Sequence, residues 1–161
     1  MAAGLESEDN GNAANADVIT SGTAIKGQIA SATDIDVFKL TVDGSGSLSV
    51  VLDVPTNNSY QEYFTLGLFD ASGNELGLYS TGVDKTYTLG LSAAGTYYLG
   101  LGGFVDTYST YFDSNQYSLT ATYAAGSASG FESEDNGNAA NADVITSGTA
   151  IKGQLSTSED K

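Results

Sequence analysis

The chain of 161 residues carries twenty Asp and Glu against five Lys, a formal net charge of -15, and contains neither Cys nor His. Nucleic acid is excluded as a partner because phosphate neutralisation needs clustered cations, and anionic membrane surfaces are disfavoured for the same reason. Disulfides, thiolate or imidazole metal sites and the commonest general base of hydrolytic enzymes are excluded with them.

Ten Tyr, six Phe, twenty Gly and a single Pro favour strands and turns, and no apolar run is long enough for membrane insertion. In chain order, residues 23–29 alternate weakly and 36–42 alternate well, with Phe38, Leu40 and Val42 on one face, which predicts two strands. A turn signal at 43–46 (DGSG) leads to 47–54, where Leu48, Val50, Leu52 and Val54 point inward until Pro55 ends the third strand. Phe64, Leu66 and Leu68 lead to a turn at 70–74 (DASGN), and 75–80 return as the hairpin partner, with Gly67 and Gly77 leaving gaps on the outer face. Tyr87, Leu89 and Leu91, then Tyr97, Leu99 and Leu101, then Tyr117, Leu119, Ala121 and Tyr123 mark three more strands. Between the last two, residues 102–115 read as a long loop bearing Phe104, Tyr108, Tyr111 and Phe112. Eight short strands predict an all-β fold, an antiparallel jelly-roll-like β-sandwich.

The two ends of the chain match: residues 6–28 (ESEDNGNAANADVITSGTAIKGQ) recur unchanged as 132–154. Identity over so long a run exceeds what a fold demands and points to recent duplication in a tandem array whose repeat is about one domain long. The expected organisation is an added start at 1–4, with any export signal lying upstream, a β-sandwich module at 5–124, a small-residue linker at 125–130 and the N-terminal segment of the next repeat at 131–161.

The succession Glu6-Ser-Glu8-Asp9-Asn10, then Ala13-Ala-Asn15-Ala, Gly27 before Asp34-Ile-Asp36-Val-Phe38, Gly95-Thr-Tyr97-Tyr98 and Tyr117-Ser-Leu119 resembles the bacterial pre-peptidase C-terminal domain family, which includes the collagen-binding domains of clostridial collagenases. The resemblance spans residues 5–124 and implies a jelly-roll-like sandwich appended to secreted or surface proteins. It further implies a calcium site in which Glu6, Glu8 and Asn10 meet Asp34 and Asp36. The sequence departs from the family at Asp9, where Pro is frequent, and at Gly11, where Asp is frequent, so one carboxylate ligand is either lost or replaced by Asp9.

Chemistry agrees with such a site, since Ca2+ takes six to eight hard oxygen ligands. Two carboxylates at ~4 Å repel by roughly 4 kcal/mol at an effective dielectric of ~20, so a folded cluster calls for a cation or raised pKa values. The competing reading is a solvated acidic linker that never meets Asp34 and Asp36. The duplicate supplies a second half-site at Glu132, Glu134, Asp135 and Asn136, with Asp160 as its downstream partner.

Tyr79, Tyr98, Tyr108 and Tyr111 are candidates for an exposed aromatic surface that binds carbohydrate or protein. The alternative is that they coat the outer face or plug the ends of the sandwich. No Gly-x-Ser-x-Gly elbow is present and no Cys or His can complete a dyad, so an enzyme is not expected. The expected function is a non-catalytic, calcium-stabilised spacer or adhesin stalk of an extracellular or cell-surface protein. Its partners are neighbouring repeats and, through the C-terminal half-repeat, a second chain; a carbohydrate- or protein-binding module is the alternative.

Overall fold

The computed structural model of the chain describes residues 4–126, 132, 138–151 and 153. Its strands are β1 (Gly4–Leu5), β2 (Asp17–Val18), β3 (Ala24–Gly27), β4 (Ile35–Val42), β5 (Gly46–Asp53), β6 (Phe64–Phe69), β7 (Glu75–Thr81), β8 (Lys85–Leu91), β9 (Gly95–Val105), β10 (Thr110–Tyr111) and β11 (Tyr117–Ala125). All eight predicted strands are present, as β3 to β9 and β11, and the fold is an all-β sandwich. One sheet runs β1-β3-β11-β5-β8 and the other β2-β4-β9-β6-β7, with β10 paired to β9.

Alternation decides which side chains meet between the sheets, because successive residues of a strand face opposite ways. Phe38, Leu40 and Val42 of β4 and Leu48, Val50 and Leu52 of β5 are all buried. Leu99 and Leu101 of β9 complete the middle of the core from the long strand that pairs with both β4 and β6. The chain crosses between sheets at most connections; β6 and β7 form the expected hairpin, with register Phe64↔Thr81 to Leu68↔Gly77. Its turn is closed by Asp70, whose Oδ1 accepts the N–H groups of Ser72 at 2.7 Å and Asn74 at 2.9 Å, while Gly73 supplies φ 83°.

Two expectations are corrected. Residues 102–115 are not one loop: β9 continues to Val105, and β10 folds back on it with Thr110 opposite Val105 and Tyr111 opposite Phe104. The reversal needs only four residues because Asp106 Oδ1 accepts the N–H groups of both Tyr108 and Ser109 at 2.7 Å. Gly103 lets the returning strand approach, since a Cβ there would sit 2.9 Å from the carbonyl oxygen of Tyr111. The second correction concerns β7, whose inward residues are Gly77, Tyr79 and Thr81, so Gly77 faces the core and only Gly67 lies on the outer face. The Tyr79 ring folds over Gly77, where a Cβ would meet its hydroxyl at 2.6 Å, and stacks on Tyr87 with centroids 4.3 Å apart.

The repeated segment 6–28 spans both sheets at one edge of the sandwich. It contributes β3, antiparallel to β11, and β2, parallel to β4, and β1 just before it lies parallel to β3. Between them Ala16, Ile19 and Ile25 enter the core. The second copy repeats the local turns: the Asn141 N–H donates to the Asn138 carbonyl at 3.1 Å as Asn15 does to Asn12, and Gly148 has φ 81° where Gly22 has 75°. It does not repeat the packing. Ile145 and Ile151 are 72% and 42% exposed, against 7% and 8% for their identical counterparts Ile19 and Ile25. Turn geometry is therefore local in origin, whereas strand and core formation in this segment depend on the edges that β11 and β4 offer. The family-implied ligands Glu134, Asp135, Asn136 and Asp160 lie outside the described residues.

Truncation at the centre should be costly. Leu101→Ala, at a fully buried position, is expected to lower the free energy of unfolding by about 2–5 kcal/mol in urea titration, whereas Leu78→Ala, at a half-exposed one, should cost far less.

Candidate cation site

Three separate parts of the chain converge where β3 and β4 meet the start of β11. Glu6 arrives on the extension of β1, its N–H donating to the Lys26 carbonyl at 2.9 Å. Its carboxylate turns inward, with Oε1 accepting the Gln28 N–H at 2.5 Å. Asp36, the second residue of β4, is 1% exposed. Tyr117 opens β11, and its hydroxyl lies 2.6 Å from Asp36 Oδ2 and 3.0 Å from Glu6 Oε2.

A hydroxyl carries one proton to donate. If it goes to Asp36, the contact with Glu6 places two lone-pair-bearing oxygens face to face unless an acid is protonated or a cation joins them. Burial, above all, raises the Asp36 pKa from 3.8 to about 8; the hydrogen bond from Tyr117 opposes this, while Glu6 and Asp34 reinforce it. Burial, followed by the charge of Asp36, likewise drives the Tyr117 hydroxyl far above its usual range. Tyr117 therefore stays a neutral donor, and Asp36 holds a proton at neutral pH when no cation is bound.

Asn10 closes the cluster from the loop between β1 and β2. It is 1% exposed, and its Nδ2 donates to Glu6 Oε2 at 3.4 Å and Asp17 Oδ2 at 3.1 Å. The carbonyl of Asn10 accepts the Val37 N–H at 3.2 Å, pinning the loop to β4 beside Asp36. Asp17 also accepts from Ser7, at 2.7 Å from the backbone N–H and 3.1 Å from the hydroxyl. Gly27 leaves the space that Glu6 fills, since a Cβ there would stand 2.5 Å from Glu6 Oε2 and collide with the Tyr117 hydroxyl.

Of the expected ligands, Glu6, Asn10 and Asp36 are brought together. Asp34 bears on Asp36 through its charge, while its own Oδ2 accepts the Ala30 N–H at 2.6 Å. Glu8 and Asp9 are exposed on the loop. Asp17 and Tyr117 were missed by the sequence reading. Tyr117 belongs to the inward row of β11, as its alternation indicated, and the usable signal was that an inward Tyr needs a partner for its hydroxyl. Asp17 carried no signal beyond its place in the repeat. In the second copy Glu132 packs against Gly153 as Glu6 packs against Gly27, a Cβ there lying 2.6 Å from Glu132 Oε1.

The oxygens that face the cluster are carboxylate and phenol, which suit a hard cation and no soft one, while Asn10 presents its Nδ2 to the acids. Among the described residues no three carboxylates gather into a ready-made metal cluster. The fit is that of a pair, buried Asp36 and half-buried Glu6, flanked by Asn10 and Tyr117. Of the tyrosine candidates, Tyr79 is buried, which removes it from any exposed patch, while Tyr98 and Tyr111 are half-buried and Tyr108 is 93% exposed.

The raised pKa fixes a sign. Between about pH 4 and pH 8 folded Asp36 keeps a proton that the unfolded chain releases, so in chelator stability falls as pH rises through this window. Urea midpoints measured across it should decline for the parent chain and stay flat, from this source, for Asp36→Asn; parallel slopes would contradict the assignment.

No family model matches the chain, and no curated protein matches it. Among solved structures it is similar to the pre-peptidase C-terminal domain of a collagenase from Bacillus anthracis, with 21% identity, coverage of 66% of this chain and 94% of that one, and a TM-score of 0.49. It is also similar to a mitogen derived from Yersinia pseudotuberculosis, with 18% identity, coverage of 55% and 85%, and a TM-score of 0.32. The collagenase domain is of the family whose residue pattern this sequence resembles.

Proposed function

We propose that the chain is a non-catalytic repeat module of a secreted or cell-surface protein, in which Ca2+ clamps the repeated N-terminal segment to its sandwich. The observation that supports this reading is the meeting of Glu6, from the repeated segment, with Asp36 and Tyr117 of the sandwich. Glu6 and Asp36 would hold the ion, and Asn10, oriented by Asp17, would steady the Glu6 carboxylate beside it. The cation would replace the proton that Asp36 otherwise retains, relieving the repulsion between Asp36 and Glu6. Because Glu6 directly follows β1, ion binding would also fix the direction in which the preceding chain leaves the module, which suits a spacer or stalk.

Self-association fits the same reading. Residues 138–151 have the sequence that covers a sandwich edge in the first copy, yet Ile145 and Ile151 are exposed. Pairing this segment with an exposed strand edge of a second chain would cover apolar surface that it leaves in solvent here.

Calcium at about a hundred times its dissociation constant should add roughly 2.7 kcal/mol, raising the melting temperature by on the order of 10 °C for a domain of this size. Calorimetry with Ca2+ and then with EDTA measures this directly, and Asp36→Asn should abolish the response; a melting temperature indifferent to chelation in the parent chain refutes the clamp. Ending the chain at Gly126 should preserve the calcium response and remove concentration-dependent association. Light scattering that returns the same mass for both lengths would dispose of the second-chain contact.

A further inference from the structure

A cleft of about 490 Å³ lies at the same end of the sandwich as the acidic cluster, yet shares no residue with it; its walls include Asn58, Tyr60, Gln61, Glu62, Lys85 and Phe104. It was not foreseen from the sequence, whose aromatic candidates were other residues. We propose that this cleft is a saccharide-binding site, with Tyr60 as its stacking platform.

The loop that carries Tyr60 is pinned at several points. The Asn58 N–H donates to the Gly82 carbonyl at 2.6 Å, and the Tyr63 N–H donates to that of Thr81 at 3.1 Å. Asn58 Oδ1 accepts the Tyr60 N–H at 3.0 Å, and Asn58 Nδ2 reaches the Tyr63 hydroxyl at 3.3 Å. Gly82 is required beneath the loop, since a Cβ there would collide with the carbonyl oxygens of Gln61 and Asn58. Upstream, Asp84 accepts the Val54 N–H at 2.9 Å and the Asn57 side-chain amide at 3.1 Å, and its own N–H donates to Asn57 Oδ1 at 2.8 Å. A loop so fixed nevertheless holds the Tyr60 ring 98% exposed. The backbone beneath the ring is thus ordered before binding, and only the side-chain rotamer remains to be fixed.

The chemistry of the walls selects the ligand class. A sugar ring offers a face of C–H groups, which packs on an aromatic ring, and a rim of hydroxyls that each donate and accept. Tyr60 and Phe104 supply aromatic surface, while Asn58, Gln61, Glu62 and Lys85 supply amide, carboxylate and ammonium groups around it. The volume lies within the range of small-molecule sites. Tyr111, opposite Phe104 in the β9–β10 ladder, and Tyr108, 93% exposed at its tip, extend the aromatic edge beyond the cleft, where further sugar units of a chain would lie.

The test is a titration of the isotopically labelled chain with chitotriose, cellotriose and laminaritriose at millimolar concentrations, followed by amide NMR in Ca2+ and again in EDTA. At least one trisaccharide should shift amides of 58–62, 82–85 and 104, and Tyr60→Ala should weaken it about tenfold, the loss of one stacking contact. The melting temperature should not move, because the ring is already exposed. Gln61→Ala should weaken the same sugar without loss of fold. Cleft amides undisturbed by all three sugars, or a Tyr60→Ala chain that binds as tightly as its parent, overturns the proposal. Its outcome is separate from that of the calcium clamp, which is read from chelation alone.

Discussion

One proton on the Tyr117 hydroxyl serves two acids, and the N-terminal third of the module is organised around that shortage. Asp36 is buried against the ring, Glu6 is drawn to the same oxygen, and Asn10 supplies the donor that the hydroxyl cannot. Two acids so placed stay together only if one keeps a proton or a cation intervenes. The arrangement ties three stretches distant in sequence, and with them both sheets, because Tyr117 belongs to the β11 sheet and Asp36 to the β4 sheet. The edge of the sandwich therefore closes through charge chemistry as well as through the burial of Ile19 and Ile25.

The sandwich itself was legible from the sequence wherever strands alternate cleanly. β4, β5 and the inward row of β9 follow from Phe38-x-Leu40-x-Val42, from Leu48 to Leu52 and from Tyr97-x-Leu99-x-Leu101, since the period of two leaves little choice of face. β7 shows where that logic loses its grip. Leu76 and Leu78 are the aliphatic residues there, but the buried row is Gly77, Tyr79 and Thr81, selected by the stacking of Tyr79 on Tyr87. A cross-sheet ring contact has no signature in a single strand, so Tyr79 looked available for binding when it is core. The β9–β10 hairpin was hidden for a related reason, because the Gly102-Gly103 pair resembles a loop until a returning strand needs the room that Gly103 leaves.

The candidate site was legible in its acids and not in its scaffold. Glu6, Asn10 and Asp36 carry oxygen chemistry in an order that the family resemblance brought together. Glu8 and Asp9 carry the same chemistry, but the loop leaves them in solvent. What separates the two groups is not residue type but position relative to Gly27 and Tyr117. A glycine is required at Gly27 only once the Glu6 carboxylate lies over it, and a tyrosine becomes a ligand-facing group only when its strand begins at the acidic corner. Both conditions are set by the pairing of β3 with β11, a contact between residues far apart in the chain.

The duplicated segment isolates what sequence alone can do. Both copies form the Asn-led turn and the left-handed glycine turn, and both set a glutamate against a glycine, so these features are written into the segment. Burial of its isoleucines is not, because 72% of Ile145 faces solvent where Ile19 is covered. On the proposed reading, each site in such a repeat would be divided between acids carried by the repeated segment and acids carried by the sandwich that it meets. An ion that bound only where both halves meet would couple the order of the linker to the integrity of the fold that follows it. In an array of such modules, stiffness would be set at the junctions by the cation and within the modules by apolar packing, two forces that respond to different conditions.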